Sequence, residues 1–165
     1  MEALFDEEGL KVFMVIVFAG LTGTLLMTLF MNLMSYLSKN GMTMHKVLTT
    51  MLTFGVTYKG DLPQQRRAAI TGYVAHYSIG VMFMCLYYIL WVYGVGAPDL
   101  VSGIGFGAAG GIISIAFWYW FFVIHPNPPS VPLRPYFVNV FLAHFVYALG
   151  AIGAFNFFNA AAQMV

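Results

Sequence analysis

The chain has 165 residues, of which 61% are hydrophobic and only 8% are charged. A soluble globular domain usually carries about a quarter charged residues, so this composition excludes an ordinary water-soluble fold. The formal net charge of +1 does not supply the basic surface that nucleic-acid binding requires, and we exclude nucleic acid as a partner. The single cysteine, Cys85, excludes an internal disulfide and a CxxC metal site, so no metal site is predicted.

The charged residues are segregated along the chain, and the gaps between them define four apolar windows. A helix that spans a bilayer needs about 20 mainly apolar residues, and each window is at least that long. We therefore predict an all-α, polytopic membrane protein, a bundle of four transmembrane helices that forms a single domain over residues 1–165. The predicted spans are 12–37, 68–93, 100–124 and 135–160.

Span 1 follows an acidic leader, MEALFDEEGLK, whereas a cleaved signal peptide would begin with a basic region, so we expect span 1 to be retained. Within it, Gly20, Thr24 and Thr28 recur every fourth residue and predict a face for close helix packing. The loop that follows contains MHKVLTTML, whose apolar residues recur at helical spacing. This pattern predicts a short amphipathic helix over 43–56 at the membrane interface.

The lysines and arginines of short loops set the orientation of a membrane protein, because cytoplasmic loops carry more of them. The basic residues between spans 1 and 2 are Lys39, Lys46, Lys59, Arg66 and Arg67. The loop between spans 3 and 4 carries a single basic residue near its end, and the loop between spans 2 and 3 has none. We therefore expect both basic loops in the cytoplasm and both termini outside.

Span 3 contains GIGFGAAGG, in which Gly103, Gly107 and Gly111 share one helical face. Small residues at this interval favour close approach of a second helix, either from this chain or from another. Span 1 offers Gly20 and Thr24 as a face that could meet it. The aromatic run FWYWFF, 117–122, ends the span and predicts a belt at the membrane interface.

Spans 2 and 4 each carry one histidine, His76 and His144, at a depth of about 14 Å from the cytoplasmic side. An ionisable side chain at this depth is a candidate functional residue. Aligned at offsets 0, 4, 7 and 11, the two spans present similar stripes on one helical face. The stripes are His76, Gly80, Phe83 and Tyr87 in span 2, and His144, Ala148, Ala151 and Phe155 in span 4. This similarity predicts a duplicated two-helix hairpin.

Three interpretations of the histidines compete. In the first, each is neutral and hydrogen-bonds a hydroxyl or carbonyl of a neighbouring span. Suitable side chains are those of Thr24, Thr28, Asn32 and Ser114. In the second, His76 and His144 ligate a haem b iron from opposite sides, with Gly80 and Ala148 leaving room for the macrocycle. In the third, the histidines and nearby tyrosines line a path for a quinone, a lipid or a proton.

Four motifs resemble those of small four-span bacterial membrane proteins of the uncharacterised YagU-like type. They are GLTGTLLMTLFM in span 1, HYSIGVMFMCLY in span 2, HPNPP after span 3 and AHFVYALG in span 4. The resemblance implies a location in the bacterial inner membrane and an H-xxx-G pattern, here His76 and Gly80, but no established reaction. Span 4 departs from that pattern at Ala148.

Almost no extramembrane mass is available for soluble catalysis, and we predict no catalytic residues. The favoured function is an accessory or assembly subunit of a larger membrane complex, in contact with the lipid bilayer and with other membrane subunits or further copies of itself. A haem- or quinone-binding redox protein is the alternative. A small transporter-like or lipid-binding protein is the third.

Overall fold

The structure, a computed structural model, describes residues 7–38 and 66–164 apart from 127, 129 and 130. These residues form four helices: α1 (Glu7–Leu37), α2 (Arg66–Val92), α3 (Leu100–Ile124) and α4 (Leu133–Ala162). All four helices are long and apolar enough to cross a membrane, so the described residues agree with the predicted all-α bundle of four spans. The predicted interfacial helix at 43–56 lies outside the described residues.

Large apolar side chains cover the outside of the helices. Leu29, Val74, Ile112 and Phe157 are each more than half exposed. Hydrocarbon offers the backbone no hydrogen-bond partners, so a chain that crosses it satisfies its peptide groups internally, as these helices do. The exposed apolar surface is therefore the surface expected to face lipid.

The turn between α2 and α3 is closed by backbone and side-chain caps. Gly94 has a left-handed φ of 79° and donates its N–H to Trp91 O, while the next N–H, of Val95, reaches Leu90 O. This pair of bonds is a Schellman motif, which glycine favours because it adopts positive φ without a Cβ clash. Asp99 then caps α3 by accepting the N–H of Ser102 at 2.8 Å.

The helices do not pack evenly around the bundle. α1 packs extensively against both α2 and α4, and α4 packs extensively against both α1 and α3, whereas contacts between α2 and α3 are sparse. A gap therefore separates α2 from α3 over part of their length. At the end near the α2–α3 turn, the gap is bridged by the stacked rings of Tyr87 and Phe106, whose centroids are 4.6 Å apart.

Small residues set the two crossings that α1 makes. A Cβ added at Gly20 would lie 2.8 Å from Val81 Cα, so α1 and α2 meet there almost backbone to backbone. A Cβ added at Gly23 would lie 2.7 Å from Ala151 Cβ, where α1 crosses α4. These distances are shorter than ordinary van der Waals contact, so both crossings require glycine.

The glycine face of α3 meets α4, not the small-residue face of α1. A Cβ at Gly107 would lie 2.9 Å from Phe145 Cα, and one at Gly111 would lie 2.7 Å from the Phe141 ring. Gly103 lies against Leu149 in the same way. The partner helix thus belongs to the same chain, and the small-residue face of α1 is occupied by α2.

The aromatic run at the end of α3 does not form a simple interfacial belt. Trp118, Phe121 and Phe122 are buried, and the rings of Trp118 and Phe122 pack edge-on against Tyr136 of α4. The other three residues of the run, Phe117, Tyr119 and Trp120, are exposed, as a belt would require. One face of the run is therefore part of the core, because a helix with aromatic residues on all sides buries the side nearest its neighbour.

Candidate functional site

A cavity of about 290 Å³ lies in the gap between α2 and α3, within the predicted spans. α1 and α4 also contribute side chains to its walls. The lining is mainly apolar and includes six residues with polar groups. These are Thr24, His76, Ser114, Trp118, His144 and Tyr147. Both histidines that the sequence singled out therefore line one cavity, from two different helices.

His144 is held by two hydrogen bonds that use both of its ring nitrogens. Its Nδ1 lies 2.7 Å from Val140 O, one turn earlier in α4. Its Nε2 lies 2.7 Å from Ser114 Oγ of α3. A carbonyl oxygen only accepts, so the proton is on Nδ1. His144 is 7% exposed and none of the spans predicted from the sequence contains an acidic residue, which favours the neutral form. Nε2 is then an acceptor, and Ser114 donates its hydroxyl hydrogen to it.

His76 is as deeply buried as His144, with 7% of its surface exposed. It stands ten residues after Arg66 in α2, and His144 stands eleven residues after Leu133 in α4. The Phe83 ring lies edge-on to His144 and edge-on to Tyr147, so this side chain of α2 packs directly on the polar wall of α4.

The remaining hydroxyls of the lining bond to backbone carbonyls. Tyr147 donates its phenolic hydrogen to Gly80 O, which joins α4 to α2 across the end of the cavity. Thr24 donates to Gly20 O at 2.7 Å, within its own helix. Each hydroxyl has a single hydrogen, so both groups retain acceptor capacity only.

The other residues singled out from the sequence have different positions. Gly80 lines the cavity and also lies at the crossing of α1 and α2. Ala148 is fully buried but is not among the lining residues. Sequence reasoning named Ser114 only as one available hydroxyl, and it included tyrosines near the histidines without identifying Tyr147 as the one in the site. The signal for Tyr147 was its position three residues after His144, on the same helical face.

A haem held between His76 and His144 does not fit this arrangement. An axial ligand needs a ring nitrogen free for iron, whereas both nitrogens of His144 are hydrogen-bonded. The cavity volume of about 290 Å³ is also at the lower limit of small-molecule sites, which range over about 300–1,000 Å³. Among the described residues, no three His, Cys, Asp or Glu side chains are grouped as metal ligands would be.

The Ser114–His144 pair has the connectivity of an activated nucleophile, with a hydroxyl bonded to an oriented imidazole. Acyl transfer also needs donors for the developing oxyanion. Ser114 lies inside α3, where backbone N–H groups are used by the helix. Thr24, Ser114, His144 and Tyr147 have their hydrogens on protein acceptors, so none of these four offers an oxyanion donor. The lining is therefore better suited to holding a molecule than to acyl transfer.

Comparisons with models of protein families, with curated proteins and with solved structures gave no match. The resemblance to YagU-like proteins therefore stays a prediction.

Proposed function

We propose that this protein binds a small, mainly apolar molecule from the bilayer in the cavity between α2 and α3. The observation that carries the proposal is the position of the cavity at the one poorly packed pair of consecutive helices in the described bundle. Ile79, Ile113 and Phe117 line the cavity and are also exposed on the outside of the helices. These side chains frame a lateral opening through which a lipid-soluble molecule would enter without crossing an aqueous phase.

The size and chemistry of the cavity support a ring-sized ligand. An apolar cavity of about 150 Å³ is large enough to hold benzene. The present cavity, at about 290 Å³, has room for a ring with a short substituent, or for one end of a longer molecule whose remainder lies in lipid. Apolar walls with a few polar groups are typical of sites that hold small molecules in one orientation.

Binding can be tested with fluorinated ring compounds and a matched pair of variants. The purified protein in lipid nanodiscs is titrated with 4-fluorophenol and 4-fluoroanisole, and the ¹⁹F signals are followed by NMR. Ser114→Phe places a ring inside the cavity, whereas Ser78→Phe makes the same change on the exposed face of α2. The probes partition equally into the lipid of both samples. A difference between the two titrations therefore reports binding in the cavity.

We expect saturable binding of at least one probe to the wild type and to Ser78→Phe, and its loss in Ser114→Phe. Equal, non-saturable signals for all three proteins would show partition into lipid alone and would refute the proposal. Circular dichroism of each variant establishes that it has folded before its titration is interpreted.

An accessory or assembly role in a larger membrane complex is the second candidate function. It is favoured by the exposed side chains of α2, which packs extensively against α1 only and carries Val74, Met82 and Ile89 on open faces. A helix of a partner subunit, or of another copy, would bury this surface. Co-purification of a stoichiometric partner in mild detergent tests this role, and a monodisperse protein without a partner would count against it.

We also propose that the protein resides in the bacterial inner membrane with both termini outside, on the strength of the basic loops and the YagU-like motifs. A duplicated hairpin is supported by the equivalent positions of His76 and His144 in their helices. A symmetric duplication would make the α1–α4 and α2–α3 contacts equivalent. Instead, α1 packs extensively on α4, whereas α2 has few contacts with α3. Cysteine accessibility of loop residues from each side of the membrane tests the orientation.

A further inference from the structure

We infer that the ligand of the cavity is a hydrogen-bond donor, a molecule with a hydroxyl group at its buried end rather than a carbonyl or an ether. This inference rests on the proposed function, because it names the chemical class that the same cavity selects. It follows from the direction of the hydrogen bonds in the lining.

Four polar side chains of the cavity direct their hydrogens away from a ligand. The Nδ1–H of His144 points to Val140 O, and the hydroxyl hydrogen of Ser114 points to His144 Nε2. The hydroxyl hydrogens of Tyr147 and Thr24 point to backbone carbonyls. A hydroxyl oxygen has two lone pairs besides its hydrogen, so Ser114, Tyr147 and Thr24 can each still accept a bond.

His76 and Trp118 are the other lining residues with polar groups, and they do not reverse the preference. A neutral imidazole has one N–H and one acceptor nitrogen, and an indole has one N–H, so each offers at most one donor to the cavity. A ligand hydroxyl can donate to one of the three hydroxyl oxygens and can also accept from an imidazole or indole N–H. A carbonyl or ether oxygen can only accept, so it would leave the acceptor capacity of the three hydroxyl oxygens unused.

Ser114 is the acceptor best placed for this contact. Its oxygen belongs to α3 and bonds to His144 of α4, so it lies where two walls of the cavity meet. Its donation to His144 polarises the hydroxyl and strengthens its oxygen as an acceptor, as in other chains of hydrogen bonds. We therefore assign Ser114 as the residue that recognises the ligand hydroxyl, with His144 as the positioning residue behind it.

Three fluorinated probes separate this inference from the proposed function. 4-Fluorophenol has a hydroxyl that donates and accepts, 4-fluoroanisole has an oxygen that only accepts, and 4-fluorotoluene has a methyl of similar size and neither capacity. Affinities are measured by ¹⁹F NMR for the wild type in nanodiscs, with the signal of Ser114→Phe subtracted. We expect 4-fluorophenol to bind about three- to tenfold more tightly than the other two, which is the usual effect of one buried hydrogen bond.

The outcomes are distinct. Equal binding of the three probes, or equal binding of the phenol and the anisole, would overturn the donor inference while the cavity still binds rings. Saturable binding of none of the probes would overturn the proposed function itself. A preference for the anisole would show that the lining donates, contrary to the hydrogen-bond directions above.

A double variant tests the assignment of the acceptor. Ser114→Ala with His144→Phe removes both acceptor atoms and keeps a ring at position 144. We expect the affinity for 4-fluorophenol to fall to that for 4-fluoroanisole, with the anisole affinity unchanged. A phenol preference that persists in the folded double variant would overturn the role of Ser114. If the double variant does not fold, the wild-type ranking of the probes still decides the class of ligand.

Discussion

Replacement of Gly80 by alanine should destabilise the bundle, because this glycine lies where α1 crosses α2. A Cβ at this position would overlap Thr24 Oγ1 and would lie 3.1 Å from Thr24 Cβ and 3.4 Å from Gly20 O. The Thr24 hydroxyl is bonded to Gly20 O, so rotation of this side chain away from the new methyl group would break a buried hydrogen bond. Either that bond is lost or the two helices separate.

The magnitude follows from two opposing effects. Overpacking of a tight core costs about 1–3 kcal/mol. Alanine in place of a helical glycine restores about 0.5–1 kcal/mol through the smaller entropy of the unfolded chain. We therefore expect Gly80→Ala to lower the free energy of unfolding by about 1 kcal/mol, the middle of a net range of about 0–2.5 kcal/mol.

Gly105→Ala is the matched control, because a Cβ at Gly105 would meet no atom within 4 Å. This variant should be as stable as the wild type or slightly more stable. Unfolding in mixed micelles of sodium dodecyl sulfate and a mild detergent, followed by circular dichroism, measures both variants. In addition, Thr24→Ala should recover part of the loss in the Gly80→Ala background, since it removes the overlapping Oγ1. A Gly80→Ala protein as stable as Gly105→Ala would refute the close crossing of α1 and α2.

Three further changes have definite expected outcomes. Ser114→Ala should lower the free energy of unfolding by about 0.6–2 kcal/mol in the same micelle assay, because it removes the interhelical bond to His144; no change would contradict that bond. Tyr147→Phe should lower it by about 0.5–1.5 kcal/mol through loss of the bond from α4 to α2, and stability equal to the wild type would contradict it. Asp99→Ala should lower the melting temperature at neutral pH through loss of the cap on α3. The bond from the Ser102 N–H lowers the pKa of the Asp99 carboxyl. The stabilisation by the ionised Asp99 carboxylate is therefore present above the ordinary carboxyl pKa. It is lost as the pH falls through the lowered pKa of the folded protein. The melting temperatures of wild type and variant should converge in acid, and a constant difference would contradict this role.

The sequence by itself determined the four helices and the faces they bury. Uninterrupted apolar windows must form helices in a bilayer, because no other backbone conformation satisfies the peptide groups of a single lipid-exposed segment. The helical period also placed His76 and His144 on interior faces at similar depth, and both are buried. Among the residues of the candidate site, the sequence therefore identified the two histidines and Gly80, one turn after His76.

Only the tertiary structure decided which helices meet and what the histidines contact. Helical periodicity shows that the face with Gly103 and Gly107 packs closely, but it does not identify the helix opposite, which is α4. In lipid no hydrophobic force selects one apolar neighbour over another, so the choice depends on the fit of surfaces at each crossing. The same fit brings α1 close to α2 and α4, leaves α2 apart from α3, and so creates the cavity. The bond between Ser114 and His144 joins residues 30 positions apart, and no local pattern in the sequence specifies it.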